Sequence, residues 1–300
     1  MSEHEIQMID LQREERRNIE RNNETRTERN GISERKRKLR RQRKMYRAAL
    51  RGTVLLIFAI LVVSFVKGLF FNGNIIASKY EQKVQKEKLV AMENGEYPDS
   101  LMELYDRNEE ARDFVLGYLD YEGNPDKIDI SKEVKKGTIP HFLQWDKRWG
   151  YEQYGNNFLA ITGCGPTCLS MVYCGLTGDD TKNPYEVAKL AEQEGYYVEG
   201  SGSLWTIMSD FAENDLGLDV IDVRFEEDAI LSELYQGHPI ICIMGAGDFT
   251  DSGHFIVLYG VTEDGKILVR DPNSIKNTQK EWELSTLMKQ IRNLWGYSEA

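Results

Sequence analysis

The stretch TGCGPTCLSMVYCGLTG, residues 162–178, decides how the rest of this 300-residue chain is read. Cys164 stands between two glycines and just ahead of Pro166. Proline is favoured in a first helical turn, where its missing N–H costs nothing. The pattern predicts an apolar helix over 166–174 that ends at Gly175, with Cys164 at its N-terminus. The positive end of the helix and its free N–H groups favour a thiolate there and can hold an oxyanion. The flanking glycines would let a substrate backbone come close. The plain alternative for a cysteine is a small buried hydrophobe. Cys168, Cys174 and Cys242 fit that alternative, each inside an apolar segment, whereas Cys164 lies at a loop-to-helix junction. A zinc site on Cys164, Cys168 and Cys174 lacks a paired knuckle or spaced histidines. No metal or cofactor is expected.

A thiolate nucleophile needs a base, and the chain has four histidines. His4 lies in a polar tail, His141 precedes the first aromatic cluster, and His238 precedes Pro239 at the mouth of a strand. His254 opens DSGHFIVLYGVTEDGKILVRDPNS, which patterns as a hairpin: strand 255–261, turn 262–265, return strand 266–270. If Val261 faces Lys266, His254 falls opposite Asn273. Asp271 is then its diagonal neighbour on the same face, within side-chain reach. Singly, His254 reads as a core histidine and Asp271 as a turn residue before Pro272. With Cys164, the order Cys, His, Asp fits a thiol-protease triad.

Working outward, the net charge of -11 conceals an asymmetry. Residues 1–51 carry 16 Lys/Arg and 9 Asp/Glu, and the remainder carries 22 and 40. An acidic body of this kind argues against a nucleic-acid partner. The basic excess peaks over 35–51, with ten Lys/Arg in seventeen positions, directly before GTVLLIFAILVVSFVKGLFF at 52–71. Twenty residues with one charge span about 30 Å as a helix, the thickness of the hydrocarbon core. About fifty residues precede this run and no small-residue cleavage site follows it, so it reads as an uncleaved anchor. The basic flank puts the N-terminus in the cytoplasm and the body outside.

The expected organisation is a largely disordered polar and basic tail over 1–51 and a transmembrane helix over 52–71. A helical stalk or subdomain follows over 72–136, with helix starts and stops at Asn94-Gly95, Pro98-Asp99-Ser100 and Gly123-Asn124-Pro125 and no constellation that suggests chemistry. A globular domain over 137–300 holds all five tryptophans.

Residues 137–300 resemble the papain-like cysteine peptidases of the bacteriocin-processing, double-glycine-leader type, in their stand-alone bacterial form. The resemblance is carried by FLQWDKRWG (142–150), ITGCGPTCLSMV (161–172), GSLWTIM (202–208), GHFIVLYGV (253–261) and VRDPNS (269–274). It implies an α+β papain-like fold, with Cys164 as nucleophile, His254 as base, Asp271 as orienting acid and Gln144 as the oxyanion-hole glutamine. Gln144 and Cys164 are twenty residues apart, a spacing like that of the stand-alone branch. Transporter-fused relatives continue into an ATPase domain, and no G-x-x-x-x-G-K-[ST] phosphate loop occurs here.

The expected activity is that of a membrane-anchored, extracytoplasmic cysteine peptidase acting on a peptide or protein. Two other readings are a catalytically silent papain-like module that binds peptides or cell-wall polymer, and a scaffold in which the stalk and basic tail do the work. Retention of Cys164, His254, Asp271 and Gln144 together favours catalysis. A cytoplasmic partner of the basic tail is left open.

Overall fold

The computed structural model describes residues 83–123 and 128–300, together with Arg41, Lys44 and Met45. The expected transmembrane segment 52–71 and nearly all of the tail lie outside the described residues. Among the described residues no helix is long and apolar enough to cross a membrane.

Five strands build the central sheet: β1 (Leu218–Ile221), β2 (Ile240–Met244), β3 (His254–Val261), β4 (Ile267–Arg270) and β5 (Ile291–Glu299). Their spatial order is β1-β5-β2-β3-β4, and every neighbouring pair is antiparallel. The strand sequences explain why this sheet is central. IICIM in β2 is buried throughout, and the first five residues of HFIVLYGV in β3 are buried too. Period-2 side chains then feed two cores. Ile241, Ile243, Phe255 and Val257 join one cluster, and Ile240, Cys242, Met244, Ile256 and Leu258 join another. A strand apolar on both faces reads as a continuous apolar run, which fits a layer covered on each side.

The first face is covered by helices α2 (Cys164–Thr177) and α3 (Pro184–Gln193), the second by α4 (Glu227–Tyr235) with Trp282 and Leu287. Helix α2 begins at Cys164 itself, two residues ahead of the expected 166, and it runs past Gly175 and stops at Gly178, which takes a left-handed φ of 76°. Gly175 is no stop signal. A Cβ there would sit 2.4 Å from Ile139 Cδ1 and 2.9 Å from Ile139 Cα, so the glycine allows another chain segment to lie against the helix.

The segment before residue 137 packs differently from a stalk. Residues 84–93 are helical and end at Asn94-Gly95, and α1 (Asp99–Arg107) begins just after Pro98. Leu101, Leu104, Phe114 and Val115 are fully or almost fully buried, in one cluster with Trp145, Tyr151 and Ala160. Phe114 stacks on Tyr151 with ring centroids 4.2 Å apart, and the Tyr151 hydroxyl donates to the Phe114 carbonyl at 2.5 Å. The boundary expected at 136/137 therefore cuts through a shared core, and residues 84–300 pack as one unit.

Candidate active site

Backbone packing fixes Cys164 as the first residue of α2. Gly163 caps the helix, and a Cβ on it would meet the Leu159 carbonyl oxygen at 2.5 Å. A Cβ on Gly165 would come within 3.0 Å of Ser203 Oγ. Both glycines are buried, so they serve the protein's own close packing rather than the approach of a substrate. Cys164 itself is half-buried, while Cys168, Cys174 and Cys242 are buried; all four are free thiols.

His254 opens β3, and Asp271 follows directly after β4. Near the turn the register runs Val261↔Ile267 and Gly260↔Leu268, and an irregularity at Tyr259 shifts it to Leu258↔Val269 and Val257↔Arg270. The shifted register, continued, places His254 opposite Asn273. The turn predicted this alignment only because the bulge offsets a one-residue discrepancy at the hairpin tip.

His254 Nε2 and Asp271 Oδ1 are 2.7 Å apart, with both residues buried. Nε2 donates, because the carboxylate can only accept. The other ring nitrogen, Nδ1, is left to act on Cys164, which lines the same cleft and whose thiol pKa the His254 ring lowers.

The charges follow from these contacts. Burial pushes the Cys164 thiol up, but the His254 hydrogen bond and charge, with N–H groups of Phe255 and Gly165, outweigh it and lower its pKa. Burial pulls His254 down, yet the Asp271 charge and hydrogen bond and the Cys164 contact raise it to about 10. Asp271 is held below the usual carboxylate range. Burial opposes this; the His254 charge and hydrogen bond, Asn277 Nδ2 at 2.8 Å and the Asn273 N–H at 2.8 Å prevail. Further groups tie down the Asp271 backbone: the Thr278 hydroxyl accepts from its N–H at 2.9 Å, and His141 Nε2 donates to its carbonyl at 2.7 Å. Burial holds His141 below the ordinary histidine range, and the nearby Arg270 charge adds to that. His141, Asn277 and Thr278 were not identifiable from sequence, because long-range side-chain bonds leave no periodicity.

Gln144 is buried, and its Nε2 donates to the Ala160 carbonyl at 2.7 Å. That acceptor fixes the amide orientation, since the reverse would set two oxygens against each other. One N–H of Nε2 is left over, and Oε1 has no hydrogen-bond partner among the described residues. The Gln144 backbone N–H donates to the Pro272 carbonyl at 2.7 Å, joining this loop to the one that carries Asp271. Gln144, Cys164, His254 and Asp271 all line one cleft of about 660 Å³.

Residues 137–299 match the model of the Peptidase_C39 like family. The chain belongs to this family. It is a papain-like cysteine peptidase family, and the mixture of helices and sheet seen here accords with it. One similar solved structure is of a protein described as a C39-like peptidase from Bacillus anthracis. It is 15% identical, covers 56% of this chain and 98% of that one, and superposes with a TM-score of 0.33. No curated protein matches.

The C39-like domain does not line the cleft alone. Arg107, Asn108 and Glu110, all ahead of the family match, lie on its wall. Asn108 Nδ2 donates to the Asn273 carbonyl at 2.9 Å and to Asn273 Oδ1 at 3.0 Å. The Glu110 carboxylate accepts from Ser274 Oγ at 2.7 Å and from the Lys276 N–H at 3.0 Å. It thus joins Ser274, the N-cap residue, at the start of helix α5 (Ile275–Gln279), which carries Asn277. The segment expected to carry no chemistry braces the loop that holds Asp271.

Proposed function

We propose that this chain is a membrane-anchored cysteine peptidase of the stand-alone, bacteriocin-processing type, hydrolysing peptide or amide bonds outside the cytoplasm. The observation that carries the catalytic part is the buried His254–Asp271 hydrogen bond at 2.7 Å in one cleft with Cys164, with the thiol pKa lowered and the imidazole pKa raised. The topology rests on the basic tract at 35–51 followed by the apolar run at 52–71.

The Cys164 thiolate attacks the scissile carbonyl carbon, and the carbonyl electron pair moves onto oxygen. The remaining Gln144 Nε2–H and the Cys164 backbone N–H at the start of α2 donate to that oxyanion. His254, cationic through Asp271, gives its Nδ1 proton to the leaving nitrogen. The C–N bond breaks, leaving a thioester and a free amine. Water then attacks the thioester, His254 takes its proton, and the C–S bond breaks to release a carboxylic acid and restore the thiolate. Asp271 stays ionised throughout and holds the imidazole by Nε2.

The test is cleavage of a mixed peptide library by the full chain in detergent, with products read by mass spectrometry. Cleavage by wild type that vanishes in Cys164→Ala supports the reading. Identical product profiles from both proteins, or no cleavage at all, overturn it. In intact cells, a membrane-impermeant thiol reagent reaching Cys164 would place the domain outside the cytoplasm, and protection until lysis would place it inside.

A further inference from the structure

A second cavity, of about 360 Å³, adjoins the cleft and shares Cys164, His254, Gly200, Ser201, Ser252 and Gly253 with it. Its size falls at the lower end of ligand sites. Its wall differs from that of the main cleft: Trp205, Ile243, Met244 and Phe255 give it an apolar side, and beyond the Cys164 and His254 pair the charged group lining it is Arg292. The larger cavity instead mixes Arg107 and Lys276 with Glu110, Asp248 and Asp251.

Arg292 reaches this cavity through a fault in the sheet. Strand β2 pairs Ile243 with Asn293 and then Met244 with Ile291, so Arg292 is the extra residue of a bulge in β5. Bulges of this kind re-aim a side chain. The Arg292 side chain lies across Gly245, where any Cβ would meet Nε at 2.5 Å and Cζ at 2.8 Å. The guanidinium has a weak contact to the Lys289 carbonyl, at 3.5 Å. No ion pair to Arg292 occurs among the described residues, although residues 52–300 carry 40 Asp/Glu against 22 Lys/Arg. Trp205 is 49% exposed and packs edge-on against Trp295. A large, half-exposed aromatic ring and a guanidinium with no ion pair among the described residues, both lining this cavity, offer a surface for an apolar stem and a fork for a carboxylate.

Resting on the peptidase reading above, we propose that this cavity is a substrate subsite for a carboxylate. The carboxylate pairs with Arg292 while the carbons behind it lie against Trp205 and Phe255. The residue carrying it would flank the reacting carbonyl on the side away from Asn108 and Lys276. Its source is either an acidic side chain or the C-terminus of the peptide.

The test measures binding rather than turnover, on the full chain carrying Cys164→Ala so that nothing is cleaved. Fluorescent hexapeptides are compared in three sets: one Glu moved through each position with an amidated C-terminus, the same peptides with Gln, and the Gln peptides with a free C-terminus. One Glu position, or the free C-terminus, is expected to bind about tenfold tighter than its neutral counterpart. Arg292→Gln should erase that gain, so that acidic and neutral peptides bind alike, and Arg292→Lys should keep part of it. A gain in the Glu set names a side chain as the source, and a gain in the free-acid set names the C-terminus. Equal binding of all three sets, or a gain that survives Arg292→Gln, overturns the subsite and leaves the peptidase reading intact. Failure of wild-type Cys164 to react with a thiol probe would strike the peptidase reading instead, and the binding result would still decide the subsite.

Discussion

The first turn of helix α2 and the turns after it set the same side chain in opposite electrostatic surroundings. Cys164 and Cys168 stand one turn apart, both next to the same core. Burial pushes both thiols up. At Cys164 the His254 ring and two backbone N–H groups reverse the effect, while at Cys168 the neighbouring Cys164 and Asp271 charges reinforce it. The Cys174 thiol, two turns further on, is pushed up to about 12, chiefly by burial. Residue type alone therefore does not set the pKa of a thiol. What matters is a helix end opening on a cleft, opposite a histidine that is itself held by a carboxylate.

The largest expected effects separate the two turns outright. Cys164→Ala should lower peptide cleavage about ten-thousand-fold or more while leaving the melting temperature nearly unchanged. Cys168→Ala should do the reverse, costing about 1 kcal/mol of stability through a small core void and leaving turnover within a few-fold. Similar activity losses at both positions would erase the distinction.

Next come the groups that make the first turn different. Asp271→Asn keeps the shape but removes the charge that raises His254, and should cost roughly a thousand- to ten-thousand-fold in kcat. Gln144→Ala removes the proposed oxyanion donor and should cost about a hundred- to thousand-fold in kcat with little change in KM. A Gln144→Ala loss confined to KM would remove Gln144 from the oxyanion hole.

The pH dependence of stability sharpens the same contrast. His254 has a raised folded value of about 10. Its contribution is fully present below the ordinary histidine value of about 6.5 and is lost as pH rises through about 10. Asp271 has a lowered folded value, so its contribution is present above the ordinary carboxylate range and fades as pH falls through the lowered one. The melting temperature of wild type should therefore drop more between neutral pH and pH of about 10 than that of His254→Gln. Parallel curves would contradict the coupling.

A smaller effect concerns the brace ahead of the family domain. Asn108→Ala removes two hydrogen bonds to Asn273 and should reduce kcat several-fold with Cys164 labelling still His254-dependent. An unchanged kcat would make the brace a matter of folding alone.

Much of this contrast was legible in the sequence for reasons of pattern. Gly-Cys-Gly-Pro marks a helix start, and strand alternation set His254 and Asp271 on one face. The alignment held at the site because a bulge at Tyr259 offset the error at the turn. Gly175 read as a stop because a glycine's need for close packing against Ile139 looks the same in one dimension as a C-cap. The helices before residue 137 read as a separate stalk or subdomain because their partners, Trp145 and Tyr151, are distant in sequence. His141, Asn277 and Glu110 reach the Asp271 loop across turns and loops that carry no period.

The most direct measurement is the rate at which an electrophilic thiol probe modifies Cys164 in the full chain at about pH 6, read by intact mass. The comparison proteins are His254→Ala and Cys164→Ala. An ordinary thiol is almost fully protonated there. Rapid single labelling of wild type that collapses in His254→Ala and is absent in Cys164→Ala is the predicted result. Slow labelling, indifferent to His254 and no faster at Cys164 than at Cys168, Cys174 or Cys242, would contradict the account.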